Sequence, residues 1–335
     1  MVRHLHPPHP GRDPRLRALF DHMRTAFGTL AEPLTLHTAD PDLLAGAWAA
    51  LYETVIVPGQ LPRATKESIA LAVSQANRCP YCVDAHGVML YALGAHGAAR
   101  AIRRGGLPGD AESARFVAWA RASRRRELAL AAPPPFSPDQ RCEAIGTVLC
   151  FHYINRVVQP LLRDSPVPPA VRFAKELVMR MVVGPFRRAL AHPHMPGAAL
   201  GFLGDSFDPP HLGWAASRPT IHAAFRGLAG AVERAGARSL GEQTRARLRV
   251  HLEGWEGEDA PFGSSWLDEG IGTVPEDAAA RLALLAARAP YRISPAQIGA
   301  FRRHHPADAD LVGVLAWGSF AAAARISSWL WAHPG

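Results

Sequence analysis

Apolar residues along this chain recur at the spacing of helix faces, and runs that alternate residue by residue, as strands do, are nearly absent. Gly and Pro punctuate the pattern and mark its boundaries. The spacing predicts helices over about 13–30, 41–57, 64–77, 80–93, 95–104, 111–129, 138–162, 169–183, 219–236, 241–254, 276–288, 295–303 and 308–332. The expected fold class is all-α. Prolines gather in the joints, at 133–135, 166–169, 193–196 and 209–210. The stretch 184–218, rich in Gly, Pro, His and Asp, reads as a connection between two domains.

Three pieces occur twice in the same order. The first set runs Glu112 to Arg121, Pro135 to Gln140 and Val148 to Val157; the second runs Asp277 to Ala286, Arg292 to Gln297 and Trp317 to Ile326. Each set reads as helix, short loop with Ser-Pro-x-Gln, then a long apolar helix. Ser137 and Ser294 are the expected N-caps, with proline in the first turn. A tandem duplication follows. Setting Ala289-Pro290-Tyr291-Arg292 against Cys79-Pro80-Tyr81-Cys82 matches four residues but loses the order of the other blocks, so it is rejected. The counterpart of the Cys79–Cys82 region then falls near 241–268. That stretch has no cysteine, and its Glu242, His251, Glu253 and Glu256 do not reproduce the spacing. The second half reads as catalytically silent there.

Length agrees with two units: 335 residues is about twice a usual domain. No apolar run is expected to reach the length of a membrane span. Met1 to Arg12 is rich in His and Pro and has no apolar signal core, so it reads as a disordered arm and the protein as cytoplasmic. The formal charge is +8, and all but two of the 37 basic residues are arginine, the lysines being Lys66 and Lys175. The short clusters at 103–104, 124–126, 187–188 and 302–303 lack interleaved aromatics. They read as solvated helix faces, not as a nucleic-acid surface.

Four cysteines, Cys79, Cys82, Cys142 and Cys150, are too few for a secreted disulfide framework. Cys142 and Cys150 sit on a long apolar helix and read as core residues. Cys79 and Cys82 form a C-x-x-C pair. With Cys79 as N-cap and Pro80 opening the helix, Cys79, Cys82 and His86 fall within a sector of about 60°. The positive helix end favours thiolate. Glu67, from the preceding helix, can orient or deprotonate the imidazole. A thiol, a second thiol, a proton carrier and a carboxylate are what thiol-based peroxide reduction requires: a thiolate becomes sulfenic acid, the neighbouring thiol condenses with it, and an external dithiol restores both. Zinc would need a fourth ligand, and no second pair is evident. Glutaredoxins also carry Cys-Pro-Tyr-Cys, with a later proline loop that Thr273-Val274-Pro275 mimics. Their fold needs a strand before the motif, where this chain is helical in pattern.

Glu67, eleven residues, Cys79-x-x-Cys82, three residues and His86, with the surrounding text from Glu67 to Gly87, resembles the alkylhydroperoxidase-D-like, or carboxymuconolactone decarboxylase, family. Phe151-His-Tyr-Ile-Asn-Arg-Val157 resembles that family's later helix. The likeness is strong over about 40–160 and weak over 216–332. It implies a helical bundle, duplicated here: a partly disordered arm over 1–28, a redox-active domain over 29–165, a connection over 166–215 and a degenerate domain without C-x-x-C over 216–335.

The resemblance further implies that Cys82 is the peroxidatic thiol, Cys79 the resolving thiol, and Glu67 with His86 the proton relay. The helix end alone would favour Cys79 as the more exposed nucleophile. Tyr81 stands where the well-studied member has histidine; its phenol, titrating near 10, is a poor shuttle at neutral pH, so it is assigned a supporting role. The expected activity is reduction of hydroperoxides through a Cys82 sulfenic acid and a Cys79–Cys82 disulfide, with no cofactor or metal. Electrons would come from a lipoyl or thioredoxin-like dithiol, and the chain would form a homo-oligomer without nucleic-acid or membrane partners. The alternatives are a non-enzymatic redox-responsive scaffold and a cofactor-free lyase of the decarboxylase type, whose activity would survive alkylation of both cysteines.

Overall fold

The computed structural model describes residues 2–131, 133–166, 178, 181, 183–207, 209–271 and 278–332, and among them there is no strand beyond a single bridge between Val2 and Leu162. The protein is all-α. The principal helices of the first half are α1 (Pro14–Phe27), α2 (Pro41–Leu51, prolonged by one π turn, Tyr52–Ile56), α3 (Arg63–Ala76), α4 (Pro80–Ala92), α5 (His96–Arg103), α6 (Ala111–Ala122) and α7 (Arg141–Leu161). Those of the second are α8 (Pro219–Ala237), α9 (Glu242–Glu253), α10 (Ala278–Arg288), α11 (Pro295–Arg302) and α12 (Asp308–Ala332). The helix expected over 169–183 falls, but for residues 178 and 181, outside the described residues.

Local chemistry sets the helix ends. Asp13 accepts from the amides of Arg15 and Leu16 to open α1, and Gly28, at φ 87°, closes it in the left-handed conformation. Ser294 caps α11 as expected, in a capping box with Gln297. Ser137 does not cap α7. That helix begins at Arg141 with Gln140 as N-cap, because residues 138–140 form a separate turn; only the bond from the Ser137 amide to Gln140 Oε1 survives.

The two halves pack against each other through α2 on α8 and α7 on α12. One apolar core runs through both. In α7, 19 of 21 residues are buried, so it is packed all round rather than on one stripe. Gly46 permits the crossing of α2 and α8: a Cβ there would lie 2.7 Å from Leu228 Cα.

Two sequence expectations need correction. First, α12 is long and apolar enough to cross a membrane by length and composition, although 83% of its apolar window is buried inside the protein, as in a core helix. Second, the cluster at 124–126 is not a plain solvated face. Arg124 and Arg78 share Asp259 at 2.7 and 2.8 Å, and Arg126 pairs with Glu256 at 2.5 Å, joining the first half to a loop of the second. The 184–218 stretch is packed onto the first half: the Gly197 amide donates to the buried Glu53 carboxylate at 2.9–3.0 Å, and Leu212 and Trp214 are core residues. At the other end, the Arg3 amide donates to Leu161 O at 2.7 Å and the His6 amide to Asp308 Oδ2 at 2.8 Å, so the first residues run along both halves.

Candidate active site

Cys79 occupies the N-cap of α4 in extended backbone, with Pro80 following in the first turn where its missing N–H is no loss. Arg78, just before it, has φ 56°, a left-handed conformation uncommon for a side-chain-bearing residue. The two sulfurs are unbridged and 2.8 Å apart, Cys79 donating to Cys82. A disulfide needs about 2.05 Å, a small side-chain rotation away. Position at the helix end does not expose Cys79: it is 1% accessible and Cys82 2%. Residues of 158–164 and 290–295 line a cleft together with it.

Burial, reinforced by Cys79, pushes the Cys82 thiol well above its ordinary range, against a donated hydrogen bond from the Asn155 side chain that favours thiolate. Deprotonating Cys82 therefore needs a partner. His86 lies one turn further along α4, on the same face. Its Nδ1 is 2.7 Å from Glu67 Oε2, brought in from α3. The other carboxylate oxygen of Glu67 accepts from Arg63, 2.8 Å away. Burial alone would raise Glu67; the Arg63 charge and the bond to His86 outweigh it and hold the carboxyl below its usual range. The His86 ring is fixed edge-on against Phe151, centroids 4.4 Å apart.

Tyr81 points elsewhere. Its hydroxyl donates to Glu32 Oε2 at 2.8 Å, and burial together with that carboxylate pushes the phenol above its ordinary range. It holds its proton. Glu67, Cys82 and His86 share a largely apolar cavity of about 450 Å³ with Tyr81, Phe151 and Met89.

Sequence reasoning did not single out Arg63, Glu32, Asn77, Ser123 or His152. Arg63, four residues before Glu67, left a readable i,i+4 signal; the others meet only through tertiary packing. Behind Cys82, Asn155 accepts from Asn77 at 3.0 Å, and Asn77 meets His152 Nδ1 at 3.0 Å. The Arg156 guanidinium also reaches His152 Nδ1, at 3.0 Å, and donates to Ala287 O at 2.9 Å. It lies 5.9 Å from the Trp255 ring. His152 Nε2 meets Ser123 Oγ at 2.9 Å, and Ser123 O accepts from the indole of Trp329 at 3.0 Å. A buried polar seam thus runs from the thiol to two tryptophans of the second half. Cys142 and Cys150 are buried in α7, Cys142 donating to Trp214 O. Among the described residues no three His, Cys, Asp or Glu side chains converge as a metal set.

Two comparisons bear on this geometry. A family model described as the carboxymuconolactone decarboxylase family matches residues 42–98, a span holding Glu67, both motif cysteines and His86. An alkyl hydroperoxide reductase of Mycobacterium tuberculosis (strain ATCC 25618 / H37Rv) is 38% identical over 333 residues, covering 98% of this chain and 95% of that protein. The match runs through both halves.

Proposed function

Since the chain belongs to the carboxymuconolactone decarboxylase family, as one of its alkylhydroperoxidase-D-like members, we propose that it is a peroxidase that reduces hydroperoxides at Cys82. One observation carries the reading: the Glu67–His86 pair, closed at 2.7 Å, shares an apolar cavity with Cys82. The Mycobacterium tuberculosis relative, an alkyl hydroperoxide reductase, agrees with it.

The His86–Glu67 pair takes the Cys82 proton as peroxide enters, because burial opposes a resting thiolate. The thiolate attacks one peroxide oxygen; the O–O bond breaks, the alcohol leaves with the proton returned by His86, and Cys82 becomes sulfenic acid. Cys79, 2.8 Å away, displaces that hydroxyl as water and forms the disulfide. An external dithiol then reduces it, so that one hydroperoxide and one dithiol give one alcohol, one water and one donor disulfide. No cofactor enters this scheme. The apolar lining suits an organic hydroperoxide, and a lipoyl or thioredoxin-like dithiol suits the electron supply.

In this reading residues 29–165 form the redox-active unit, 166–215 the connection, and 216–335 a scaffold without thiols, in a cytoplasmic homo-oligomer. The test is turnover of an organic hydroperoxide under a dithiol, wild type against Cys82→Ser. Loss of activity, with the wild-type Cys79–Cys82 bond mapped by mass spectrometry, is expected; unchanged turnover in the variant would falsify the assignment.

A further inference from the structure

A second cleft, of about 730 Å³, lies on the other side of the cysteine pair. Cys79 lines it and Cys82 does not; Cys82 lines the peroxide cavity and Cys79 does not. Tyr81 and Arg163 line both, so they form the partition between the two spaces. The cleft is built jointly by the two halves. From the first come Arg78, Cys79 and Gln159, and from the second Pro290, Tyr291 and Ile293, while Arg3 closes one side.

The charge of this cleft is positive. Arg3 is balanced by Asp164 at 3.7 Å, but Arg78 shares its acid, Asp259, with Arg124. Among the described residues Arg163 makes no ion pair; its guanidinium reaches only the Pro166 carbonyl, at 3.4 Å. Arg78 is held by contacts to the second half: beyond Asp259, its guanidinium stacks 5.5 Å over the Tyr291 ring.

We propose that the two half-reactions use opposite faces of the pair: peroxide meets Cys82 in the apolar cavity, and the reductant, a dithiol carrying negative charge, enters the arginine-lined cleft and attacks Cys79. The proposal rests on the peroxidase reading and gives the thiol-free half a task, that of walling the reductant's entrance. A donor thiolate attacks Cys79 Sγ, the Cys79–Cys82 bond breaks, and Cys82 leaves and takes a proton from His86. The donor's second thiol then attacks the donor sulfur of the mixed disulfide, releasing Cys79 as a thiol and the donor as a cyclic disulfide. Two electrons and two protons pass from donor to protein. Tyr81, in this arrangement, is part of the wall that keeps peroxide and dithiol apart.

The experiment separates the half-reactions. The disulfide form of the full chain is made with diamide, so that its preparation does not depend on peroxide, and its reduction is followed with dihydrolipoate, which is anionic, and with dithiothreitol, which is not. Arg3→Glu and Arg78→Asn, the latter keeping a residue that tolerates the left-handed backbone, are each expected to slow dihydrolipoate about threefold or more while changing dithiothreitol less than about twofold. The wild-type rate with dihydrolipoate should fall with added salt. Oxidation of the reduced variants by stoichiometric hydroperoxide is read in parallel and is expected to match wild type. Wild-type rates with dihydrolipoate in both variants, or equal slowing of oxidation and reduction, would overturn the proposal. A wild type that forms no disulfide with hydroperoxide sinks the peroxidase reading instead, while the diamide-made disulfide still reports on the cleft.

Discussion

Cys82 sits where desolvation and a neighbouring thiol both oppose its ionisation, and only Asn155 assists it. In the absence of peroxide the resting thiolate fraction, followed by ultraviolet absorbance, should therefore climb with pH across about 7 to 9 without a plateau, since it rises about tenfold per unit below the thiol's own value. A plateau near neutrality would show a thiol already ionised. Removing the base should tell as well: Glu67→Gln keeps the shape but not the charge facing His86, and is expected to slow oxidation roughly 10²-fold. Tyr81→Phe should leave oxidation within about twofold, because the hydroxyl is committed to Glu32 and is no part of the relay. A large loss in that variant, measured by the same single-turnover thiol assay, would return Tyr81 to the proton path.

At the scale of elements, the position of α3 decides where Glu67 can be. The start of α3 is clamped to α7 by a buried ion pair, Lys66 Nζ to Glu143 Oε2 at 2.9 Å. The same carboxylate accepts from the amides of Gln60 and Leu61 at 2.8 and 3.0 Å, and Gly59 leaves the room, since a Cβ there would meet Glu143 Oε1 at 2.1 Å. Burial alone would raise Glu143, but Lys66 and these amides hold it below its ordinary value of 4.5. Its stabilising contribution is therefore whole above that value and is lost as pH falls through the depressed one. Lys66→Met, leaving the buried carboxylate only the more distant Arg218, 3.7 Å away, as a cation, should lower unfolding free energy in urea by about 3 kcal/mol at neutral pH. The helices themselves were legible, because Pro80, Gly28 and the Ser294 box are local signals that act within one turn. So was the Glu67–His86 contact of the candidate site, whose partners lie within twenty residues of sequence. Lys66, Glu143, Glu32 and Asn77 were not, since each gains its partner from a distant segment and periodicity carries no trace of that. The arginines at 124 and 126 misled for the same reason: their acids lie about 130 residues away.

Over the whole molecule, the duplication is buried as a continuous interior instead of two separate ones. Gly46→Val, which forces a side chain into the backbone of α8, should destabilise by about 1–3 kcal/mol and lower one common thermal transition for both halves. Two separated transitions would argue against a shared core. The polar seam behind Cys82 has an optical consequence. Arg156 is tied on one side to Asn77, whose partner Asn155 touches the thiol, and on the other lies against Trp255, while Ser123 passes the same seam to Trp329. Indole emission responds to a nearby cation and to its hydrogen-bond acceptor, so forming or opening the cysteine bond should change the intrinsic fluorescence of the protein. The chain would then carry its own reporter of redox state, readable in real time without a dye.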